Sequence, residues 1–290
     1  MTSSWMLVSG ALFAASGVLV KMASAQFNAA ELAFYRSVIG LAAIGGFVLW
    51  KRESVRSVHM RMHIVRGILG VASLLAYFYA MTQIPLATAV TLNYTSPLFL
   101  AALTTVVLRE KFSLWLVFAI AVGFLGVAML LQPTFEEGRL HAALLGLASG
   151  ALAAVAYLNV RELGRLGEPA WRTVYWFSIL GTVICGAWVL AFARFNAVSW
   201  SAVPLLAGIG VVAMVAQLAM TRAYQTGNTL VVGAFSYSTI VFAAIASLFI
   251  FADPITPLAW VGMAVIVASG LIAMRFEKKD IVEEAGFEGD

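Results

Sequence analysis

The sequence predicts an all-α integral membrane protein: ten transmembrane helices in two inverted five-helix repeats, with both termini cytoplasmic. Three observations predict this fold class: an apolar composition, ten regularly spaced apolar runs and basic residues concentrated on one side of the runs. Of the 290 residues, 62% are hydrophobic and only 11% are charged. Soluble proteins average about 45–50% apolar and about 25% charged residues. This composition is therefore typical of a polytopic membrane protein.

Ten apolar runs approach the roughly 20 residues that a helix needs to cross a bilayer. The connectors between them are short and carry most of the charges and turn formers, so no soluble domain fits between the runs. The first run lacks a basic leader and a cleavage site, and we expect it to be retained as a helix. The predicted spans are 4–25, 30–50, 65–83, 86–108, 113–132, 140–160, 170–193, 202–222, 229–251 and 255–275.

The basic residues predict which way the chain crosses the membrane. Only Lys21, Arg139 and Arg194 fall on the side opposite the termini, and Arg36 alone falls well inside a span. The remaining lysines and arginines, Arg66 among them, are assigned to the side of the termini. Because cytoplasmic loops are rich in Lys and Arg, both termini are predicted to be cytoplasmic. Termini on one side require an even number of spans, in agreement with ten.

Two segments of the first half recur in the second half. SGALFA at 9–14 resembles SGALAA at 149–154, and the polar tetrad NYTS at 93–96 aligns with SYST at 236–239. Five spans per half is an odd number, so the second half enters the membrane from the opposite side and the repeats are inverted. The predicted boundaries are 1–138 for the first repeat, 139–276 for the second, and 277–290 for a cytoplasmic tail that is expected to be disordered because it is acidic and lacks apolar periodicity.

Five short motifs follow one another in the first half. They are FYRS at 34–37, RGILG at 66–70, YFYAMTQIPLATA at 77–89, TSPLF at 95–99 and LREK at 108–111. In order and spacing they resemble the ten-helix, EamA-type branch of the drug/metabolite transporter (DMT) superfamily, and the resemblance covers essentially the whole chain. The second half follows the family pattern less closely, since Asp253 stands in place of Glu110 and Ile240 in place of Pro97.

The resemblance implies a secondary transporter that exports small organic metabolites, amino acids or related compounds foremost. Organic cations or drugs, or a vitamin such as riboflavin, are alternative substrates, and a channel or a structural membrane protein is the alternative class. Inverted repeats around a central site favour alternating access. No catalytic motif, metal site or cofactor site is predicted. The expected partners are a small-molecule substrate and the lipid bilayer, without nucleic acid, for a monomer or homodimer in the bacterial inner membrane.

The segment TLNYTSPLF at 91–99 predicts the location of the site. Pro97 has no N–H to donate to the carbonyl of Asn93, so the helix should bend there. Irregular backbone at membrane depth survives only where it is buried in protein or faces a watery cavity. The sequence therefore predicts a central cavity with Asn93 and Tyr94 as substrate-binding residues and Pro97 as a kink or gating position. A hydrogen bond from Asn93 to another helix is the alternative.

Further polar and aromatic residues are predicted to line the same cavity. These are Tyr77, Tyr157, Gln217, Ser236, Tyr237 and Arg36. A charge inside a span is a functional hypothesis by default. Arg36 could bind a substrate carboxylate, pair with Glu31 or extend to the membrane surface. No Asp, Glu or His lies mid-span to relay protons, which favours a facilitator or exchanger over a tightly proton-coupled pump.

Overall fold

A computed structural model describes residues 3–108, 114–136, 138–227 and 229–287 of the chain, and every regular element within these ranges is an α-helix. This confirms the all-helical class for the described residues. The helices are α1 (Trp5–Ala23), α2 (Ala29–Lys51), α3 (Met60–Gln83), α4 (Leu86–Asn93), α5 (Ser96–Leu108), α6 (Leu114–Glu136), α7 (Leu140–Arg165), α8 (Ala170–Phe192), α9 (Val203–Thr226), α10 (Thr229–Ser236), α11 (Ser238–Ile250) and α12 (Pro257–Phe287).

Seven segments of the described chain are long and apolar enough to cross a membrane. They are α1, α2, α3, α7, α8, α9 and the stretch Val231–Ile250, which runs through α10 and α11. Shorter apolar stretches, Val117–Leu130 and Pro257–Ile272, lie within α6 and α12. The chain is therefore a multi-pass membrane protein.

Two of the predicted spans are each divided into two helices. In span 86–108, α4 ends at Asn93 and α5 begins at Ser96, so the break falls at the predicted position. Pro97 is the second residue of α5, where its missing N–H leaves no helical carbonyl of α5 unpaired. In span 229–251 the break lies at Tyr237, although the residue equivalent to Pro97 is Ile240. Proline is therefore not required for a break, and the polar tetrad is the feature common to both.

Each break packs closely against a glycine of the other half. A Cβ on Gly150 of α7 would lie 2.9 Å from the carbonyl oxygen of Asn93 and 2.6 Å from Thr95 Oγ1. A Cβ on Gly10 of α1 would lie 2.8 Å from Ser238 Oγ at the second break. Gly10 and Gly150 are the glycines of the two recurring SGAL segments. The repeated segment therefore has a repeated structural role, which is close approach to a broken helix.

The packing of the helices joins the two halves of the chain. The most extensive helix pairs are α6 with α12, α3 with α7, α1 with α9 and α2 with α8. The two broken segments follow the same rule, since α1 contacts α10 and α11 while α7 contacts α4 and α5. Every one of these contacts joins a helix of the first half to a helix of the second. The space between the halves is the centre of the bundle.

The last helix is longer than the last predicted span, 255–275. The structure continues α12 through Phe287, and disorder of the tail at 277–290 stays a prediction. The segment EKKDIVEEAG is rich in Glu and Lys, which are strong helix formers. Extending a helix that the apolar part of α12 has already nucleated costs little, because each added residue brings its own hydrogen bond. Residues 288–290 of the predicted tail lie outside the described residues.

Candidate functional site

A cavity lies at the centre of the bundle between the two halves. The space inside it that is available to the centre of a water-sized molecule is about 80 Å³. Helices α1 to α4 of the first half and α7 to α9 of the second contribute to its wall. Six of its nineteen lining residues are aromatic, including Phe13, Tyr77, Tyr157 and Phe177.

Most of the residues predicted to bind substrate do line this cavity. They are Arg36, Tyr77, Asn93, Tyr94, Tyr157 and Gln217. Ser236 and Tyr237 do not line it. They lie at the end of α10, which packs against α1 and α12. The Ser236 hydroxyl donates to the Gly233 carbonyl at 2.6 Å, and the Tyr237 ring packs against Gly270 of α12. Pro97 also lies outside the lining, so the two tetrads do not face one common site.

Asn93 forms the predicted hydrogen bond to another helix and also faces the cavity, where its substrate-binding role stays a prediction. It lines the cavity, and its Nδ2 donates to Ser149 Oγ on α7 at 2.8 Å. Ser149 is itself held in place, since its hydroxyl donates to the Gly146 carbonyl at 2.6 Å and its carbonyl accepts from Ser73 Oγ at 2.8 Å. The hydrogen bond to Ser149 uses the amide nitrogen of Asn93. Because an amide group has two N–H donors and one oxygen acceptor, this bond occupies only one N–H of the Asn93 side chain.

Arg36 is buried inside the bundle and bonds to a residue of the other half. Its side chain is 7% exposed, so it does not extend to the membrane surface. Its Nη2 donates to Gln217 Oε1 at 3.2 Å, and its Cζ lies 5.5 Å from the ring centre of Phe177. The predicted alternative of pairing with Glu31 is not realised, because that carboxylate accepts hydrogen bonds from Asn196 instead.

Arg66 is the functional candidate that sequence reasoning missed. It was assigned to the cytoplasmic side, and the statement that Arg36 alone lies well inside a span is wrong. Arg66 is 3% exposed, lines the cavity, and places its Cζ 4.2 Å from the ring centre of Phe177. The reason is that α3 begins at Met60, before the predicted span, which puts Arg66 in the second helical turn.

A glycine makes room for the Arg66 guanidinium. A Cβ on Gly70, one helical turn further along α3, would lie 2.6 Å from Arg66 Nη1 and 3.1 Å from the Phe177 ring. Both residues belong to the RGILG motif at 66–70. The i, i+4 spacing of Arg and Gly in that motif is the signal that could have indicated an inward-pointing arginine.

The cavity wall contains hydrogen-bond donors that have no partner. Arg66 Nε, Arg66 Nη1 and Gln217 Nε2 are buried and have no hydrogen-bond partner. No ion pair joins Arg36 or Arg66 to a carboxylate among the described residues. Leaving a buried donor unpaired costs about 1–3 kcal/mol, and more for a charged group. The cavity therefore provides two positive charges without a carboxylate partner, and N–H donors without an acceptor.

A cluster of charged residues joins the halves next to one end of the cavity. The Glu168 latch consists of Ser57, His63, Glu168 and Arg172. Glu168 accepts from Arg172 Nη1 at 2.9 Å and from the Ser57 hydroxyl, and His63 Nε2 lies 3.4 Å from it. Arg172 Nη2 also donates to the Ser54 carbonyl at 3.0 Å. His63 lies one turn before Arg66 on α3, so the latch borders the cavity.

The latch holds Glu168 as a carboxylate. Burial by itself would raise the pKa of Glu168, but the hydrogen bonds from Ser57 and Arg172 and the charges of Arg172 and His63 outweigh it. The pKa of Glu168 is therefore held below its ordinary value of 4.5. At neutral pH the latch is fully formed.

Polar contacts also join the halves at the opposite end of the bundle. Glu31 Oε2, at the start of α2, accepts from Asn196 Nδ2 at 2.8 Å. Lys21 Nζ, at the end of α1, lies 3.9 Å from Asp253 Oδ2 of the second half, and it also donates to the Ile84 carbonyl of its own half at 2.8 Å. The cavity thus lies between two sets of inter-half contacts. Both sets consist of polar groups near helix ends, which can separate without disrupting the apolar core.

Comparison with known proteins identifies the family. The model for the EamA-like transporter family matches residues 1–132 and residues 140–275. The chain belongs to this family. The resemblance inferred from the motifs is confirmed, and the protein is a membrane transporter of the EamA type within the DMT superfamily.

Several EamA-type relatives are similar over most of the chain. The pseudopaline exporter CntI of Pseudomonas aeruginosa strain UCBPP-PA14 is 32% identical, with 80% of this chain and 81% of the relative covered. A riboflavin transporter of Vibrio cholerae is 27% identical, covering 95% and 93%. A solved crystal structure superimposes with a TM-score of 0.69 over 96% of this chain and 99% of that one, at 18% identity, so the two share a fold.

Proposed function

We propose that this EamA-type protein is a secondary transporter that exports small organic metabolites, amino acids or related compounds foremost, by alternating access. The observation that carries the proposal is the buried, polar and aromatic cavity between two halves whose contacts lie at both of its ends. The relative named as a pseudopaline exporter supports export as the direction. We place the protein in the bacterial inner membrane.

The proposed topology is ten crossings in two inverted repeats, with cytoplasmic termini. The seven long apolar segments account for most of the crossings, and α4 with α5, α6 and α12 complete the ten. Two consecutive family matches support the repeat. The helix packing supports it as well, because exchanging the halves converts the pair α1–α9 into α7–α3 and leaves the pairs α2–α8 and α6–α12 unchanged. The bias of Lys and Arg toward one side supports the orientation.

Alternating access would open one set of inter-half contacts while the other stays closed. In the proposed orientation, the Glu168 latch closes the cytoplasmic end and the contacts of Glu31 and Lys21 close the outer end. Both sets of contacts are formed in this structure, which therefore corresponds to an occluded state in the proposed cycle. Inverted repeats give outward-open and inward-open states nearly equal energy.

The transport is proposed to run down the substrate gradient, as a facilitator or exchanger. Within the described residues, the buried carboxylates are Glu31 in the first turn of α2 and Glu168 in the connector before α8. Both lie at helix ends, where neither can pass a proton through the middle of the bundle. Exchange should therefore continue when an uncoupler collapses the proton gradient, and its abolition would contradict this mode of coupling.

The alternative substrates differ in how they suit the cavity. Organic cations are disfavoured, since the cavity already carries two arginines without carboxylate partners. Riboflavin has an aromatic ring system suited to Tyr77 and Tyr157, and several relatives are named as riboflavin transporters, so it is kept in the test panel.

The test is uptake by purified protein in proteoliposomes, over a panel of labelled amino acids, organic acids, organic cations and riboflavin. We expect saturable uptake within one chemical class and a weaker apparent affinity for Asn93→Ala. Asn159→Ala is the matched control, because Asn159 bonds only the Val155 carbonyl of its own helix at 3.0 Å and does not line the cavity. Uptake that rises linearly with concentration would indicate a channel and contradict the proposal.

A further inference from the structure

We infer, building on the proposed function, that the transported metabolite carries two carboxylate groups, held by Arg36 and Arg66 against the ring of Phe177. The inference concerns the charge of the substrate, which neither the family nor its relatives determine. It rests on the charge balance, the free donors and the shape of one wall of the cavity.

The charge balance is the first step. Arg36 and Arg66 are both nearly fully buried, and neither forms an ion pair with a carboxylate of the described chain. A guanidinium cannot deprotonate in proteins to escape the cost of burial. Unpaired charges inside a membrane protein are costly and mark functional sites. Two such charges in one cavity are neutralised most completely by a ligand with two negative charges.

The free donors indicate the same chemistry. The buried groups in the cavity wall that have no partner are N–H groups of Arg66 and Gln217. Neither nitrogen type can accept a hydrogen bond, so a ligand must bring acceptors. A carboxylate is acceptor-only when ionised, and its two oxygens match the planar fork of a guanidinium. A cationic or hydroxyl-rich ligand would leave these donors or its own donors unpaired.

The shape of the wall keeps both arginines in place. Arg36 Cζ and Arg66 Cζ lie 5.5 and 4.2 Å from the same Phe177 ring centre, so one aromatic ring orients two positive groups. The Arg36 guanidinium is fixed further by Gln217 Oε1. Gly70 leaves the space that the Arg66 guanidinium occupies. The arginines are thus prearranged for a ligand, which reduces the ordering cost of binding.

The test uses two dicarboxylates and their half-amides, which match them in size: glutamate with glutamine, and succinate with succinamate. Thermal unfolding of the purified protein measures binding, and counterflow in proteoliposomes measures transport. We expect each dicarboxylate to raise the melting temperature and to exchange, and each half-amide to do neither at the same concentration. Equal effects of acid and half-amide, or no effect of either dicarboxylate, would overturn the inference.

Variants assign the effect to the arginines. Arg66→Gln and Arg36→Gln should each raise the KM for a dicarboxylate about 10- to 100-fold, the factor for losing one hydrogen bond to a charged group. Arg66→Lys keeps the charge but loses the fork, and should have an intermediate effect. Arg222→Gln is the control, since Arg222 lies over Trp5 and outside this cavity. Unchanged KM in both glutamine variants would overturn the inference.

Stability without ligand separates a binding role from a structural role. Because Arg66 is buried without a counter-charge, Arg66→Gln should unfold at the same or a higher temperature than wild type when no ligand is present. A melting temperature that falls in Arg66→Gln and is restored in Arg66→Lys would identify a structural arginine and overturn the inference.

The failure of this inference differs from the failure of the proposed function. If neutral or cationic solutes exchange saturably and the arginine variants do not change this exchange, the protein is a carrier with another substrate class. That result would overturn this inference and support the proposed function. Stabilisation by dicarboxylates without exchange of any solute would support the binding site and contradict transport.

Discussion

Replacing Glu168 with glutamine should open the end of the cavity that the Glu168 latch closes. The variant keeps the side-chain size but removes the negative charge of the carboxylate. That carboxylate accepts hydrogen bonds from Arg172 at 2.9 Å and from Ser57. Hydrogen bonds to charged groups contribute about 1.5–3 kcal/mol each, and neutral ones about 0.5–1.5. Weakening two of them costs the latch about 2 kcal/mol, which corresponds to about a 30-fold shift toward the open state.

Thiol accessibility measures this shift directly. Cys185 is buried and would be replaced with serine, and a new cysteine would be placed in the cavity wall by Ala153→Cys. In inside-out membrane vesicles, a membrane-impermeant thiol reagent reaches the cavity only when the latch opens. The labelling rate should be at least tenfold higher in Glu168→Gln than in the background protein.

The control is Glu162→Gln. Glu162 forms an exposed ion pair with Arg165 at 3.4 Å, within the same helix and outside the latch. Exposed pairs of this kind contribute little to stability, so the labelling rate should stay at the background value. Equal labelling rates in Glu168→Gln and Glu162→Gln would refute the assignment of Glu168 to a gate.

Three further predictions concern the two glycines at the helix breaks, the pH dependence of the latch and the hydrogen bond of Asn93. Gly150→Ala should lower the melting temperature in detergent by the equivalent of about 1–3 kcal/mol, since its Cβ would lie 2.9 Å from a backbone carbonyl; Gly10→Ala should lower it less, since its Cβ meets hydroxyls that can rotate. Because the folded pKa of Glu168 is depressed, its contribution to the latch is present above pH 4.5 and lost as pH falls through the folded pKa. Since acid also lowers the reactivity of every thiol, the measure is the labelling rate of the background protein with intact Glu168 divided by that of Glu168→Gln at the same pH, and this ratio should rise toward one as pH falls. Asn93→Ala should lower the melting temperature by the equivalent of about 0.6–1.7 kcal/mol through loss of the hydrogen bond to Ser149, and a melting temperature equal to wild type would contradict this.

The helices were predictable because the bilayer imposes a simple rule on the sequence. Apolar length alone placed α1, α2 and α8 within a residue or two of the structure. The first helix break was predictable as well, because a proline and a polar tetrad conflict with a continuous helix. The start of α3 was placed too late, since Arg61 and His63 are polar residues that composition assigns to a connector.

The site was predictable only in part. Polar residues in apolar runs indicated Asn93 and Gln217, which do line the cavity. Periodicity does not show which face of a helix meets a cavity when every face is apolar, so Ser236 and Tyr237 were grouped with it although they lie behind α1 and against α12. Arg66 was missed because the span was predicted to begin at 65, which left Arg66 at its edge, whereas α3 begins at Met60. Its contact with Phe177 of α8 depends on tertiary packing, and the spacing of Arg66 and Gly70 was the one local sign of its inward direction.

Trans-acceleration is the measurement that tests alternating access most directly. Proteoliposomes would be loaded with the labelled solute found in the uptake panel, and its efflux followed into buffer with and without the unlabelled solute outside. A carrier returns faster when loaded than empty, so outside solute should accelerate efflux of the label, and Asn93→Ala should weaken the effect. Efflux that is unchanged or slowed by outside solute would contradict a carrier that alternates around this cavity.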